Sequence, residues 1–163
     1  MEMYCGAGGF THGVKEYLDT ALATDFSQSA RALYARNHPA ARVIQGDANE
    51  RGVQLALITE ATRLGVEVGL GGPPCTHFSQ AGKRETHEGW QCVLSMLLVH
   101  AAIPSLRMTV LENVLGFMST PQWQHTLAAA RALGFSFSHH VVTGDDCGLP
   151  TMRRRVFLVL TRG

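Results

Sequence analysis

The sequence predicts an open α/β sheet wound by crossover helices, and three observations carry that expectation. Short apolar runs alternate with helix-like stretches along all 163 residues, the pattern of strands joined by crossover helices. A glycine-rich turn, Tyr4-Cys5-Gly6-Ala7-Gly8-Gly9-Phe10, follows the first apolar run and opens the first helix-like stretch. The next two runs end in acids, Asp25 and Asp47, at the carboxyl ends of strands, where such sheets bind their ligands.

Taken in order, the apolar runs place strands at residues 1–4, 20–24, 42–45, 66–70, 109–111, 135–142 and 156–161. Between them the spacing predicts helices at residues 12–18, 27–36, 51–64, 90–102 and 121–133. The last helix is the best marked. Thr120 suits its N-cap, Pro121 its first position, and Gly134 the left-handed residue that ends it. A first strand of about four residues is short for a central strand, so further residues are expected before it.

Composition bounds the rest. With 45% hydrophobic and 17% charged residues, the chain reads as one globular domain over residues 1–163 that needs neither disulfides nor a structural metal. Cys5, Cys75, Cys92 and Cys147 form no C-x-x-C pair, and no four-ligand zinc spacing appears. A reducing, intracellular setting is expected: cytoplasm or nucleoid in a prokaryote or virus, nucleus in a eukaryote. The apolar run at residues 93–103 is interrupted by His100 and is too short to span a bilayer. A formal net charge of +1 excludes a strongly basic nucleic-acid binder. Any such contact is local, at Lys83-Arg84 or at Arg153-Arg154-Arg155.

The glycine turn permits positive φ and close approach of a ligand to the main chain, although a tight strand-to-helix turn explains it as well. Asp25 at a strand tip can accept ribose hydroxyls, the adjacent Phe26 can stack on adenine, and Asp47 can accept from the adenine amino group. Either acid alone is equally an N-cap or a turn residue. Together with the glycines they point to an adenosine ligand. The spacing is not the dehydrogenase fingerprint, and S-adenosylmethionine fits better than a dinucleotide.

The fourth run leads into Gly71-Gly72-Pro73-Pro74-Cys75-Thr76-His77-Phe78-Ser79-Gln80. A lone cysteine is often a small buried hydrophobe. Here the stiff Pro-Pro approach and the nearby Lys83-Arg84 favour a nucleophile whose thiolate is stabilised by local positive charge. The fifth run ends in Leu111-Glu112-Asn113-Val114, which brings a carboxylic acid to the same sheet edge. A cysteine attacking C6 of a pyrimidine needs an acid near N3 to take up the displaced electron density.

With Gly148-Leu149-Pro150-Thr151-Met152-Arg153-Arg154-Arg155 before the last run, the set is complete. The glycine turn, Pro-Pro-Cys, Glu-Asn-Val and Arg-x-Arg resemble, in order and spacing, the first, fourth, sixth and eighth motifs of cytosine-C5 DNA methyltransferases. The likeness covers the whole chain. It implies a Rossmann-like methyltransferase sheet, mostly parallel with the last strand antiparallel. It also implies methyl transfer from S-adenosylmethionine to C5 of a flipped-out cytosine in DNA, as in restriction-modification systems.

By the same resemblance Cys75 is the nucleophile, Glu112 the acid at N3 and the amino group, and Arg155 the contact to the O2 region. Arg153 lies by the cysteine and the DNA backbone, and Asn113 holds its loop. Tyr4, Gly6, Ala7, Gly8 and Gly9 match the first cofactor motif. Asp25 and Phe26 match the ribose and adenine contacts, Asp47 and Ala48 the third motif, and Pro74 a neighbour of the methyl donor. Ser79 matches a phosphate contact.

Several departures are visible. Glu2 and Tyr4 stand where Asp and Phe are usual, Thr151 replaces a Gln, and the segment from Thr86 to Trp90 lacks the usual Asp-Arg pair. The target-recognition domain and the last two motifs are expected outside this chain, supplied by lost residues or by a second polypeptide. An inactive remnant that binds cofactor or a partner, an RNA cytosine methyltransferase, and an unrelated thiol enzyme pairing Cys75 with a histidine are the alternatives.

Overall fold

The computed structural model describes residues 1–74 and 86–163, the side chains of 86–89 excepted. The strands are β1 (Glu2–Met3), β2 (Leu22–Asp25), β3 (Arg42–Gln45), β4 (Val68–Gly71), β5 (Met108–Val114), β6 (Ser136–Thr143) and β7 (Arg154–Thr161). The helices are α1 (Gly9–Val14), α2 (Gln28–Asn37), α3 (Arg51–Arg63), α4 (Thr86–Ala102) and α5 (Pro121–Ala132). The seven strands form one sheet in the order β3-β2-β1-β4-β5-β7-β6. All pairs from β3 to β5 are parallel, and β7 runs antiparallel to both β5 and β6. The expected fold class, including the reversed last strand, is therefore correct.

Strand order changes direction between β1 and β4. A crevice opens at such a switch point because the following connections leave to opposite sides. β1 has only two residues, yet both are buried and each is paired on two sides: Glu2 with Ala23 and Leu70, and Met3 with Thr24 and Gly71. The double pairing accounts for so short a central strand.

Two expected boundaries moved for identifiable reasons. The first helix is α1, not residues 12–18, because Gly8 at φ +88° turns the chain directly into it. β5 does not end at residue 111. Its antiparallel ladder with β7 runs from Met108↔Thr161 to Val114↔Arg155 and draws Glu112 and Asn113 into the sheet. The α5 signals read as expected: Thr120 Oγ1 accepts from Trp123 N at 3.3 Å, and Gly134 has φ +82°.

α4 carries much of the core, with Val93, Met96, Leu97 and Val99 at most 1% exposed. It lies close to β4 because two strand positions are glycine. A Cβ on Gly69 would sit 2.3 Å from His100 Cε1, and one on Gly71 2.7 Å from Met96 Sδ. Among the described residues no helix is long and apolar enough to cross a membrane.

His100 is fully buried, its Nδ1 lies 2.9 Å from Thr109 Oγ1, and its Nε2 has no partner among the described residues. Burial pushes the imidazole pKa down to about 3. The unfolded chain takes up this proton below about pH 6.5, whereas the folded chain does so only near its lowered pKa. Stability supplied by neutral His100 is thus present above about pH 6.5 and is lost as pH falls, by about 1.4 kcal/mol per pH unit. Urea unfolding between about pH 6 and 5 checks this: the excess slope is expected in the native chain and absent in His100→Gln, and equal slopes would contradict it.

Candidate active site at the carboxyl edge of the sheet

The glycine turn after β1 is built on unusual backbone angles: Tyr4 has φ +57°, Gly6 +52° and Gly8 +88°. Asp25 holds it from the neighbouring strand. Its Oδ2 accepts from Gly6 N at 2.9 Å and its Oδ1 from Ser27 N at 2.9 Å. From the other side, α2 grips the turn by its carbonyls. Asn37 Nδ2 donates to Ala7 O at 2.8 Å, and His38 Nε2 donates to Gly8 O at 3.0 Å.

Beneath the turn, Glu2 accepts from the Thr11 backbone N–H at 3.1 Å and from the Thr11 hydroxyl, which also meets Tyr34 OH at 2.8 Å. Burial raises the Glu2 pKa, and the Thr11 hydrogen bonds oppose that rise. The acid at this position thus anchors α1 from below the sheet edge.

The turn borders a cavity of about 420 Å³ at the switch point, within the range of small-ligand sites. Of the residues expected to hold the cofactor, Tyr4, Asp25, Phe26, Asp47, Ala48 and Pro74 line it. Gly6, Ala7, Gly8 and Gly9 are absent from its lining among the described residues. Gly6 N is turned toward Asp25, and Gly8 N donates to Cys5 O at 2.8 Å. Phe26 stands 72% exposed at the rim, with its ring free to cover a planar ligand.

Asn49, Gln91 and Cys92 also line the cavity, and sequence reasoning missed all three. Asn49 lies two residues beyond Asp47 in the same turn, which was a usable signal. Gln91 and Cys92 read only as interior positions of an apolar helix.

The cysteines separate by environment. Cys5 is 4% exposed, and burial pushes its thiol up to about 12, which makes it a poor nucleophile. Cys147 is exposed, and Cys92 is half-buried in the cavity wall. Cys75 and Ser79, with Lys83-Arg84, lie outside the described residues. Pro74, which precedes Cys75, lines the cavity.

The other half of the edge is formed by β5 and β7. Arg155 Nε lies 2.7 Å from Glu112 Oε1, in a half-buried ion pair with side chains 19% and 28% exposed. Gly72 adjoins it: a Cβ there would lie 3.2 Å from Glu112 Oε2, so the residue that opens the Pro-Pro-Cys segment passes beside the carboxylate. Asn113 is buried on the opposite face. Its Oδ1 accepts from Val114 N at 2.8 Å, and its Nδ2 has no partner among the described residues. Arg153 is exposed, one residue before β7, with its N–H donating to Thr151 Oγ1 at 3.2 Å.

Sheet order and the glycine turn at the switch point define the fold of the S-adenosylmethionine-dependent methyltransferases. The same sheet occurs in solved methyltransferases: a putative DNA modification methyltransferase of an Escherichia coli prophage, and Dnmt2 of S. pombe. The first matches at TM-score 0.81 and 21% identity over 99% of this chain and 45% of that one. The second matches at TM-score 0.75 and 19% identity over 99% and 48%.

The chain belongs to the C-5 cytosine-specific DNA methylases, whose family model matches residues 1–163. Among its relatives, the type II methyltransferase M.AquIA of Picosynechococcus is 30% identical over 99% of this chain and 71% of its own length. M.AgeI of Thalassovita gelatinovora is 34% identical over 97% of this chain but only 38% of its own. The human tRNA (cytosine(38)-C(5))-methyltransferase is 25% identical over 98% and 41%.

The cofactor of this class is S-adenosylmethionine, and the cavity suits it. Two carboxylates, Asp25 and Asp47, line the cavity, an aromatic ring stands at the rim, and two of roughly four acceptor positions on Asp25 remain unused among the described residues.

The glycine turn yields a paired prediction. A Cβ on Gly8 would meet His38 Nε2 at 2.3 Å at a positive φ, whereas one on Gly9 would meet nothing within 4 Å. Gly8→Ala is expected to lower the unfolding free energy by about 1–3 kcal/mol and Gly9→Ala to change it by less than about 0.5 kcal/mol. Equal urea midpoints for the two would show that the turn is not held as described.

Proposed function

We propose that this chain is the cofactor-binding and catalytic part of a DNA cytosine-C5 methyltransferase, with Cys75 as its covalent nucleophile. The supporting observation is the Glu112–Arg155 pair at 2.7 Å, beside Gly72 at the entry to the Pro-Pro-Cys segment. This arrangement sets an oriented acid beside Gly72, at the entry to the segment that carries Cys75.

In this reading the cytosine is swung out of its stack, since C5 and C6 are out of reach inside a duplex. The Cys75 thiolate forms a bond to C6, and the C5–C6 π electrons shift toward C5. Glu112 engages N3 and the exocyclic amine, where charge develops, and Arg155 fixes the Glu112 carboxylate while its remaining donors meet the O2 region. S-adenosylmethionine, when bound, supplies an electrophilic methyl group. After transfer a base removes the C5 proton, the double bond re-forms, and Cys75 leaves as thiolate.

Asp25 and Asp47 are assigned to the ribose and adenine, with Tyr4, Ala48, Phe26 and Pro74 completing the walls; Gly6, Ala7, Gly8 and Gly9 shape the turn beside them. Arg153 and Ser79 are assigned to the nucleic-acid backbone, and Asn113 to holding the β5 end. Sequence readout needs side chains at base edges. We assign it to a further segment or a second polypeptide, in keeping with the 38% of M.AgeI that this chain spans. The tRNA-modifying relatives support RNA as the alternative polymer.

The test uses the chain together with its target-recognition part, S-adenosylmethionine, and DNA or RNA carrying 5-fluorocytosine, whose fluorine blocks the final elimination. A denaturant-resistant adduct with DNA is expected from the native protein and none from Cys75→Ser. Glu112→Gln should slow methyl transfer to unmodified DNA by about 10²–10⁴-fold. An adduct that survives Cys75→Ser would overturn the mechanism, and an adduct with RNA alone would reassign the substrate.

A further inference from the structure

α4 begins just beyond the Pro-Pro-Cys segment and brings Gln91 and Cys92 into the wall of the cofactor cavity. Polar bonds fasten it to both cofactor turns. From the glycine turn, Tyr4 OH donates to Cys92 O at 2.8 Å. From the turn after β3, Asn49 Oδ1 accepts from Ser95 Oγ at 2.8 Å, and Asn49 Nδ2 donates to Cys92 Sγ at 3.4 Å. Gln54 of α3 closes the relay, its Nε2 donating to Ala48 O at 3.0 Å and to Ser95 Oγ at 3.3 Å. The Asn49 backbone N–H also donates to Asp47 Oδ1 at 2.8 Å.

Asn49 is exposed, yet both ends of its amide are engaged within the chain. Holding an exposed side chain in one rotamer costs conformational entropy, and water competes for each of its bonds. A ligand that fills the cavity excludes that water and strengthens the bonds. The coupling is reciprocal, so walls already fastened bind the ligand more tightly. The Tyr4 hydroxyl serves the same end: where the family usually has Phe, this chain carries a hydroxyl that reaches the backbone of α4.

We propose that Asn49, assisted by the Tyr4 hydroxyl, is a positioning residue that locks α4 onto the cofactor turns. Filling the cavity and placing the helix that follows the cysteine segment then become one event. The inference rests on reading the cavity as the S-adenosylmethionine site.

The test combines calorimetric titration with S-adenosylmethionine and amide hydrogen exchange over residues 91–95, with and without that ligand, in the native chain, Tyr4→Phe and Asn49→Ala. Asn49→Ala is expected to bind about tenfold more weakly, the loss that one or two hydrogen bonds imply. Ligand-induced protection of residues 91–95 should disappear in it while protection of β5 is retained. Tyr4→Phe should show a smaller effect in the same direction. Native affinity and unchanged protection in Asn49→Ala would overturn the proposal. If the native chain itself fails to bind, the cofactor reading falls. Exchange of residues 91–95 in the free chain then decides the fastening, and equal rates in native and Asn49→Ala overturn it.

Discussion

The site depends first on the Asp25 carboxylate. One of its oxygens takes the Gly6 N–H and the other the Ser27 N–H, so a single side chain ties the glycine turn after β1 to the start of α2. Arg31 fixes the same strand tip from the helix, donating to Asp25 O at 2.8 Å and to Phe26 O at 2.7 Å. Buried backbone donors without partners are costly, and at this turn positive φ values rule out an ordinary sheet or helix ladder to satisfy them. The carboxylate does so while leaving acceptor capacity toward the cavity. It therefore serves both the turn and the proposed ribose contact.

The sheet then extends this order toward the chemistry. The switch between β1 and β4 places the glycine turn and the Gly72-Pro73-Pro74 stretch that follows β4 on either side of one crevice. Reversal of β7 against β5 brings Arg155 across to Glu112. In a parallel arrangement every strand enters from the same edge, so residues just before one strand would lie at the far end of the sheet from residues that close its neighbour. The antiparallel last strand is thus what allows an arginine near its start to meet an acid near the end of β5.

Much of this was legible in the sequence. The glycine turn, the acids at residues 25 and 47, Pro73-Pro74, Glu-Asn-Val and Arg-x-Arg are local signals, and each sits at the sheet edge where the alternation of runs places it, while Cys75 lies outside the described residues. What escaped was set by contacts between distant residues. Glu112 read as lying beyond its strand because its pairing partner stands far along the chain, at Phe157. Gln91 and Cys92 carry no local mark of a cavity wall. They face it because Gly69 and Gly71 let α4 settle close to β4. The Glu2 side chain read as a mild replacement for Asp, and its role in anchoring Thr11 depends on a helix that begins three residues earlier than the spacing suggested.

The central claim is that Asp25 joins the fold of the glycine turn to cofactor binding at the switch point. It is tested most directly by titrating the native chain and Asp25→Asn with S-adenosylmethionine. The substitution keeps the shape of the side chain but sets an amide N–H against a backbone donor. Binding by the native chain, and a loss of at least about tenfold in the variant, is the predicted result. Equal affinity in the two, with the variant folded, would contradict the account and move the cofactor contact elsewhere on the sheet edge.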